Sequence, residues 1–134
     1  MPQAETKKII LAVDDMPLNL TAIRNILCND FDIRPVKSPA VALTMLNTVR
    51  VDLALVDIEM PEMSGFEFVE RLRNNPEHPE QKSIPVIFVT SHETPDILEK
   101  VVSRGAGYII KPVVPGELLE KINSIFEAGE KKDG

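Results

Sequence analysis

Short apolar runs alternate with stretches of helical periodicity along nearly the whole chain. Ile9-Ile10-Leu11-Ala12-Val13 has no polar alternation, so it reads as a strand buried on both faces. Leu20, Ile23 and Leu27 then recur at helical spacing, with Ile26 beside them. Phe31–Val36 gives a second, weaker strand. Ser38-Pro39 is the pattern of an N-cap followed by proline at the first helical position, with Ala42, Met45, Leu46 and Val49 as the next apolar face. Leu53-Ala54-Leu55-Val56 is a third strand. A loop with Pro61 and Gly65 leads from it to a helix carrying Phe68 and Leu72. Asn74–Ser83 is a polar connection containing proline, and Val86-Ile87-Phe88-Val89 is a fourth strand. Thr94-Pro95 opens another helix, which the Gly105–Gly107 segment ends. Tyr108-Ile109-Ile110 is a fifth strand, and Leu118, Ile122 and Ile125 line a last helix after Pro115.

Strands without polar alternation, each followed by a helix, predict an α/β domain. Its five-stranded parallel sheet is doubly wound, with five helices covering both faces. The expected boundaries are a disordered segment at 1–6, the folded domain at 7–127 and a mobile polar tail or linker stub at 128–134. The 134 residues, 43% hydrophobic and 27% charged, suit one globular domain and not two.

The formal charge of −6 argues against nucleic-acid binding, which needs clustered positive charge. Cys28 is the only cysteine, so no internal disulfide forms; its place in an apolar helical pattern reads as a small core residue. Met1–Lys8 lacks the apolar stretch of a signal peptide and no run is long enough to span a bilayer, so a cytoplasmic location is expected.

The polar residues that change this picture follow the strands. Asp14 and Asp15 come after the first, Asp57 after the third, Thr90 and Ser91 after the fourth, and Lys111-Pro112 after the fifth. Open parallel sheets bind ligands beyond the carboxyl ends of their strands, at the switch in strand order. With the common order 2-1-3-4-5, all the named aspartates would meet there, with Thr90 and Lys111 on the next strands. Such crowded carboxylates call for a cation, and an all-oxygen site with open positions suits Mg²⁺, with Mn²⁺ as the alternative. One carboxylate is left as a nucleophile of the kind that forms an aspartyl phosphate, with Lys111 as a point charge and Thr90 as a hydroxyl donor.

Val13-Asp14-Asp15, Asp57 with Met60-Pro61 and Gly65, Val89-Thr90-Ser91 and Tyr108-Ile109-Ile110-Lys111-Pro112 resemble the motifs of the response-regulator receiver family, in its order and spacing. The resemblance covers residues 7 to 127 and implies a flavodoxin-like fold acting as a signalling phosphoacceptor and not as a turnover enzyme. It implies that Asp57 takes the phosphoryl group. It further implies that Asp14, Asp15, Asp57 and the Glu59 backbone carbonyl hold Mg²⁺, that Thr90 and Lys111 contact the phosphoryl oxygens, and that Tyr108 changes rotamer on activation. The Lys111–Pro112 peptide is usually cis in this family. Implied partners are a sensor histidine kinase or phosphotransfer protein, and a downstream protein or output domain on the face of the fourth helix, fifth strand and fifth helix. A homodimer is a further option, and neither nucleic acid nor membrane is expected as a direct partner. The chain would work alone or as the receiver part of a longer protein.

Asp14-Asp15 alone also fits a helix-capping pair before Pro17, and Tyr108 alone a structural tyrosine. A haloacid-dehalogenase-type phosphatase would want aspartate where Glu59 stands, and a flavodoxin a Ser/Thr/Gly-rich loop where Asp14-Asp15-Met16-Pro17 stands. A receiver-like module that is never phosphorylated is a third rival, disfavoured by the complete acidic set. His78 reads as a solvated loop residue, and Met60 and Met63 as packing. Glu59 and His92 are expected to border the path of the attacking water and to tune dephosphorylation.

Overall fold

β1 (Ile9–Val13), β3 (Leu53–Asp57) and β4 (Val86–Thr90) form the centre of a five-stranded sheet, and each is buried almost throughout. The computed structural model describes residues 7–104 and 106–133, with the backbone alone for 130–133. β2 (Asp32–Val36) and β5 (Gly107–Ile110) are the edges, and the order β2-β1-β3-β4-β5 is parallel throughout. Pro35, which cannot donate to a ladder, stands in an edge strand, where that loss is tolerated.

Strand side chains alternate between two apolar layers. Leu11, Val13, Ala54, Val56 and Phe88 pack with α2 (Pro39–Met45), α3 (Gly65–Arg73) and α4 (Pro95–Ser103). Ile10, Ala12, Leu55, Ile87 and Ile109 pack on the other face with α1 (Pro17–Leu27) and α5 (Pro115–Asp133). Burying a Leu or Ile side chain of this kind stabilises by roughly 1.5–3 kcal/mol, so the two layers fix the sheet and the strand ends with it. Ser38, Ser64 and Thr94 cap α2, α3 and α4, each accepting a hydrogen bond from a backbone N–H three residues on.

Several expectations change. Cys28 is exposed, not core: it caps the C-terminus of α1, one step of about 100° past Leu27, which turns it out of the Leu20-Ile23-Leu27 stripe. α5 continues to Asp133, through most of the segment expected as a mobile tail; Ala, Glu and Lys are strong helix formers even without an apolar face. β5 begins at Gly107, so that glycine belongs to the strand, while Gly105 lies outside the described residues, as do 1–6 and 134. Phe31 precedes β2 and packs on Phe126, with ring centroids 5.9 Å apart. The Asn74–Ser83 connection holds a 3-10 helix at Pro79–Ser83, pinned by buried Gln81, whose Nε2 donates to the Leu46 carbonyl at 3.0 Å. His78 is half-buried beside Glu80 rather than fully solvated. Among the described residues no helix is long and apolar enough to cross a membrane.

Candidate functional site

The backbone aims the polar residues before their side chains interact. The Asp14 N–H donates to Val36 O at 3.2 Å and the Ile58 N–H to Val89 O at 3.1 Å. The Lys111 N–H donates to Thr90 O at 2.8 Å. Each bond extends strand pairing just past a strand end, so the following side chains emerge on one edge of the sheet. Gly65 shapes the same edge from α3. A Cβ there would collide with the Asp57 carbonyl oxygen and come 3.0 Å from Ile58 Cα, so only glycine lets α3 start this close. The Lys111–Pro112 peptide is cis.

Asp14, Asp15 and Asp57 each bring a carboxylate oxygen within 4.8 Å of the others. Asp14 and Asp57 are buried, while Asp15 is half-exposed. Lys111 Nζ lies 3.3 Å from Asp57 Oδ1 and 3.4 Å from Asp14 Oδ2. Asp14 Oδ1 accepts from the Met16 N–H at 2.9 Å and from Asn19 Nδ2 at 3.4 Å. Asp14 Oδ2 is buried with no hydrogen bond, and one lysine cannot neutralise the cluster. Burial chiefly, then the neighbouring Asp14 charge, raises the Asp57 pKa to about 6 against the opposing pull of Lys111. An unsatisfied carboxylate oxygen in an all-carboxylate cluster fits a hard divalent cation, so Asp14, Asp15 and Asp57 could hold Mg²⁺.

Thr90 is fully buried at the end of β4. Its Oγ1 accepts from the His92 N–H at 3.0 Å and donates to His92 O at 3.3 Å, which ties the hydroxyl to its own loop. Tyr108 is half-buried against the layer containing Phe88, with Lys121 Nζ 5.7 Å from its ring centroid. Glu59 donates its N–H to Asp57 Oδ1 at 3.4 Å, while its carboxylate reaches His92 Nε2 at 3.1 Å. Met60 and Met63 are buried, as packing residues should be. Asn19 joins the site from the first turns of α1, and the only trace of it in the sequence is a polar residue shortly after Asp14-Asp15.

The residues expected at strand ends therefore converge, with Thr90 turned toward its loop and Tyr108 outside the carboxylate cluster. The arrangement offers a shielded carboxylate with one fixed cation and a donor set for a second.

The model of the response regulator receiver domain family matches residues 10–123. A probable cyclic di-GMP phosphodiesterase from Vibrio cholerae serotype O1 is 37% identical over 92% of the chain, and the match spans only 28% of that longer protein. The two-component response regulator ORR3 of Oryza sativa subsp. indica is 32% identical, over 91% of the chain and 93% of its own length. A solved CheY-like receiver domain protein from Methanospirillum hungatei JF-1 superposes with a TM-score of 0.82 at 30% identity, covering 95% of this chain and 99% of its own. Sheet order, the carboxylate cluster at the strand ends and the family match over 10–123 agree: the chain belongs to the receiver domain family of two-component response regulators.

Proposed function

We propose that Asp57 accepts a phosphoryl group from a phosphohistidine on a sensor kinase or phosphotransfer protein, or from a small phosphodonor. The observation that carries this reading is the buried Asp57 carboxylate at the sheet's carboxyl edge, with Lys111 Nζ at 3.3 Å and the Asp14 and Asp15 carboxylates alongside. An Asp57 oxygen attacks phosphorus, the bond from phosphorus to the donor atom breaks, and its electron pair leaves with the donor. Water later attacks the acyl phosphate, restoring the carboxylate and releasing inorganic phosphate.

Asp14, Asp15, Asp57 and the Glu59 carbonyl are the ligands proposed for Mg²⁺, with Mn²⁺ as a substitute. When bound, the cation would offset charge between carboxylates and phosphoryl oxygens. Lys111 orients and neutralises a phosphoryl oxygen. Thr90 would exchange its bond to His92 O for one to the phosphoryl group. Tyr108 would then turn inward and shift the surface of α4, β5 and α5 between two states, which a downstream protein or output domain reads. Glu59 and His92 border the water's approach and set the lifetime of the phosphorylated form. The domain is thus a switch that assists its own phosphorylation and dephosphorylation, set in the cytoplasm with its kinase. Intact-mass measurement after incubation with Mg²⁺ and acetyl phosphate tests the assignment. A phosphoryl adduct on the wild type and none on Asp57→Asn is expected, and equal adducts on both would refute it.

A further inference from the structure

The two oxygens of Asp14 have different surroundings. Oδ1 faces the start of α1, where it accepts from the Met16 N–H at 2.9 Å and from Asn19 Nδ2 at 3.4 Å. Oδ2 is buried without a hydrogen bond, with Lys111 Nζ at 3.4 Å. A carboxylate only accepts, so the amide nitrogen of Asn19 is the atom turned toward it. Met16 is the N-cap of α1 and makes no capping bond with its side chain, and Pro17 follows at the first helical position. Asn19 therefore stands in the first turn, its own N–H donating to Met16 O at 3.0 Å. Asparagine is a weaker helix former than Ala or Leu, so propensity does not account for it there. Asn19 is half-buried, and its side chain reaches back from α1 to the carboxylate at the end of β1.

We propose that Asn19 is a positioning residue for the metal site: its amide holds Oδ1 on the α1 side, so that Oδ2 is the oxygen Asp14 presents to Mg²⁺. Rotation of an aspartate about its Cβ–Cγ bond is soft and roughly two-fold. The Met16 N–H tethers one oxygen. A second donor converging on that oxygen from one turn further along resists turning of the carboxylate plane. The same amide offsets part of the charge that Asp14 brings beside Asp15 and Asp57. Neither effect requires Asn19 to touch the cation or the phosphoryl group. The inference rests on reading Asp14 as a Mg²⁺ ligand, and adds the residue that orients it.

The test is calorimetric titration of Mg²⁺, without phosphodonor, into the full chain. Asn19→Leu keeps the branched shape of the side chain and removes its donor. It should weaken Mg²⁺ binding about five-fold, below the usual range for an outer-shell partner because 3.4 Å is long for an N–H···O bond. The metal-free melting temperature should not fall, since Leu is the better helix former. Asn19→Ala, read beside it, should weaken binding in the same direction. Asn25→Leu makes the same exchange at an exposed position of α1 and should change affinity by less than about two-fold. In an Asp14→Asn background, replacing Asn19 should have no further effect, because Asn19 acts through Asp14. Unchanged affinity in both Asn19 variants, equal weakening by Asn25→Leu, or the same loss persisting in the Asp14→Asn background would overturn the proposal. An Asp14→Asn variant that binds Mg²⁺ as tightly as the wild type would remove the ligand and this inference with it. A weakened Asp14→Asn beside an unaltered Asn19→Leu would remove this inference alone.

Discussion

His92 Nε2 lies 3.1 Å from Glu59 Oε2, so the loop after β4 and the loop after β3 touch. Both side chains are more than half exposed, so the contact adds little to stability. Its proposed consequence is for access of water to Asp57. Glu59→Ala/His92→Ala should leave the melting temperature within error and shorten the lifetime of the phosphorylated protein. The expected acceleration is on the order of ten-fold, or ~1.4 kcal/mol in barrier. Following loss of the phosphoryl group from the isolated protein checks this; an unchanged rate would remove both residues from the water's path.

Asp57 should destabilise the metal-free fold at neutral pH. Its pKa is raised to about 6 in the folded state, chiefly by burial, so the folded chain holds the proton over a pH range where the unfolded chain has released it. Stability from this group therefore falls as pH rises from about 4 to 6. Asp57→Asn should raise stability in EDTA at pH 7.5 by on the order of 1–3 kcal/mol, and the gain should vanish below the unfolded-state pKa of about 4. Thermal melts across pH test the sign: a variant less stable than wild type at pH 7.5 in EDTA would contradict it.

The Mg²⁺ site is proposed to depend on Asp14, whose Oδ2 is buried without a hydrogen bond. Asp14→Asn should weaken Mg²⁺ binding at least about ten-fold by calorimetry, comparable with losing a ligand's second-sphere support or more. It also relieves repulsion with Asp57, so the metal-free melting temperature should not fall. Unaltered Mg²⁺ affinity would exclude Asp14 as a ligand.

Gly65 lets α3 begin against the Asp57 carbonyl. The neighbour is backbone and cannot swing aside, so Gly65→Ala should displace the β3–α3 loop. A loss of about 1–3 kcal/mol in urea denaturation and slower phosphorylation by acetyl phosphate are expected. A stable, fully active variant would mean that the loop adapts freely.

Much of this was legible in the sequence because burial on both faces leaves a plain trace. β1, β3 and β4 are apolar runs, and Ser38-Pro39 and Thr94-Pro95 mark helix starts through capping chemistry. Asp14, Asp57 and Lys111 converge because each stands at or just past the end of a strand whose position in the sheet is set by such a run. Features decided by one angular step or by loop conformation were not legible. Cys28 leaves the apolar stripe by a single residue. The far end of α5 has no apolar period to announce it. The bonds of Thr90 to the His92 backbone and the contact of Glu59 with His92 depend on how two loops fold over the edge of the sheet.

In the proposed mechanism residue 57 carries the phosphoryl group. Borohydride reduces an aspartyl phosphate to homoserine, which peptide mass mapping can locate. After treatment with acetyl phosphate and Mg²⁺, homoserine is predicted at position 57 alone, and its yield should collapse in EDTA. Homoserine at Asp14 or Asp15, or none at any position despite a folded protein with Mg²⁺ present, would contradict the account.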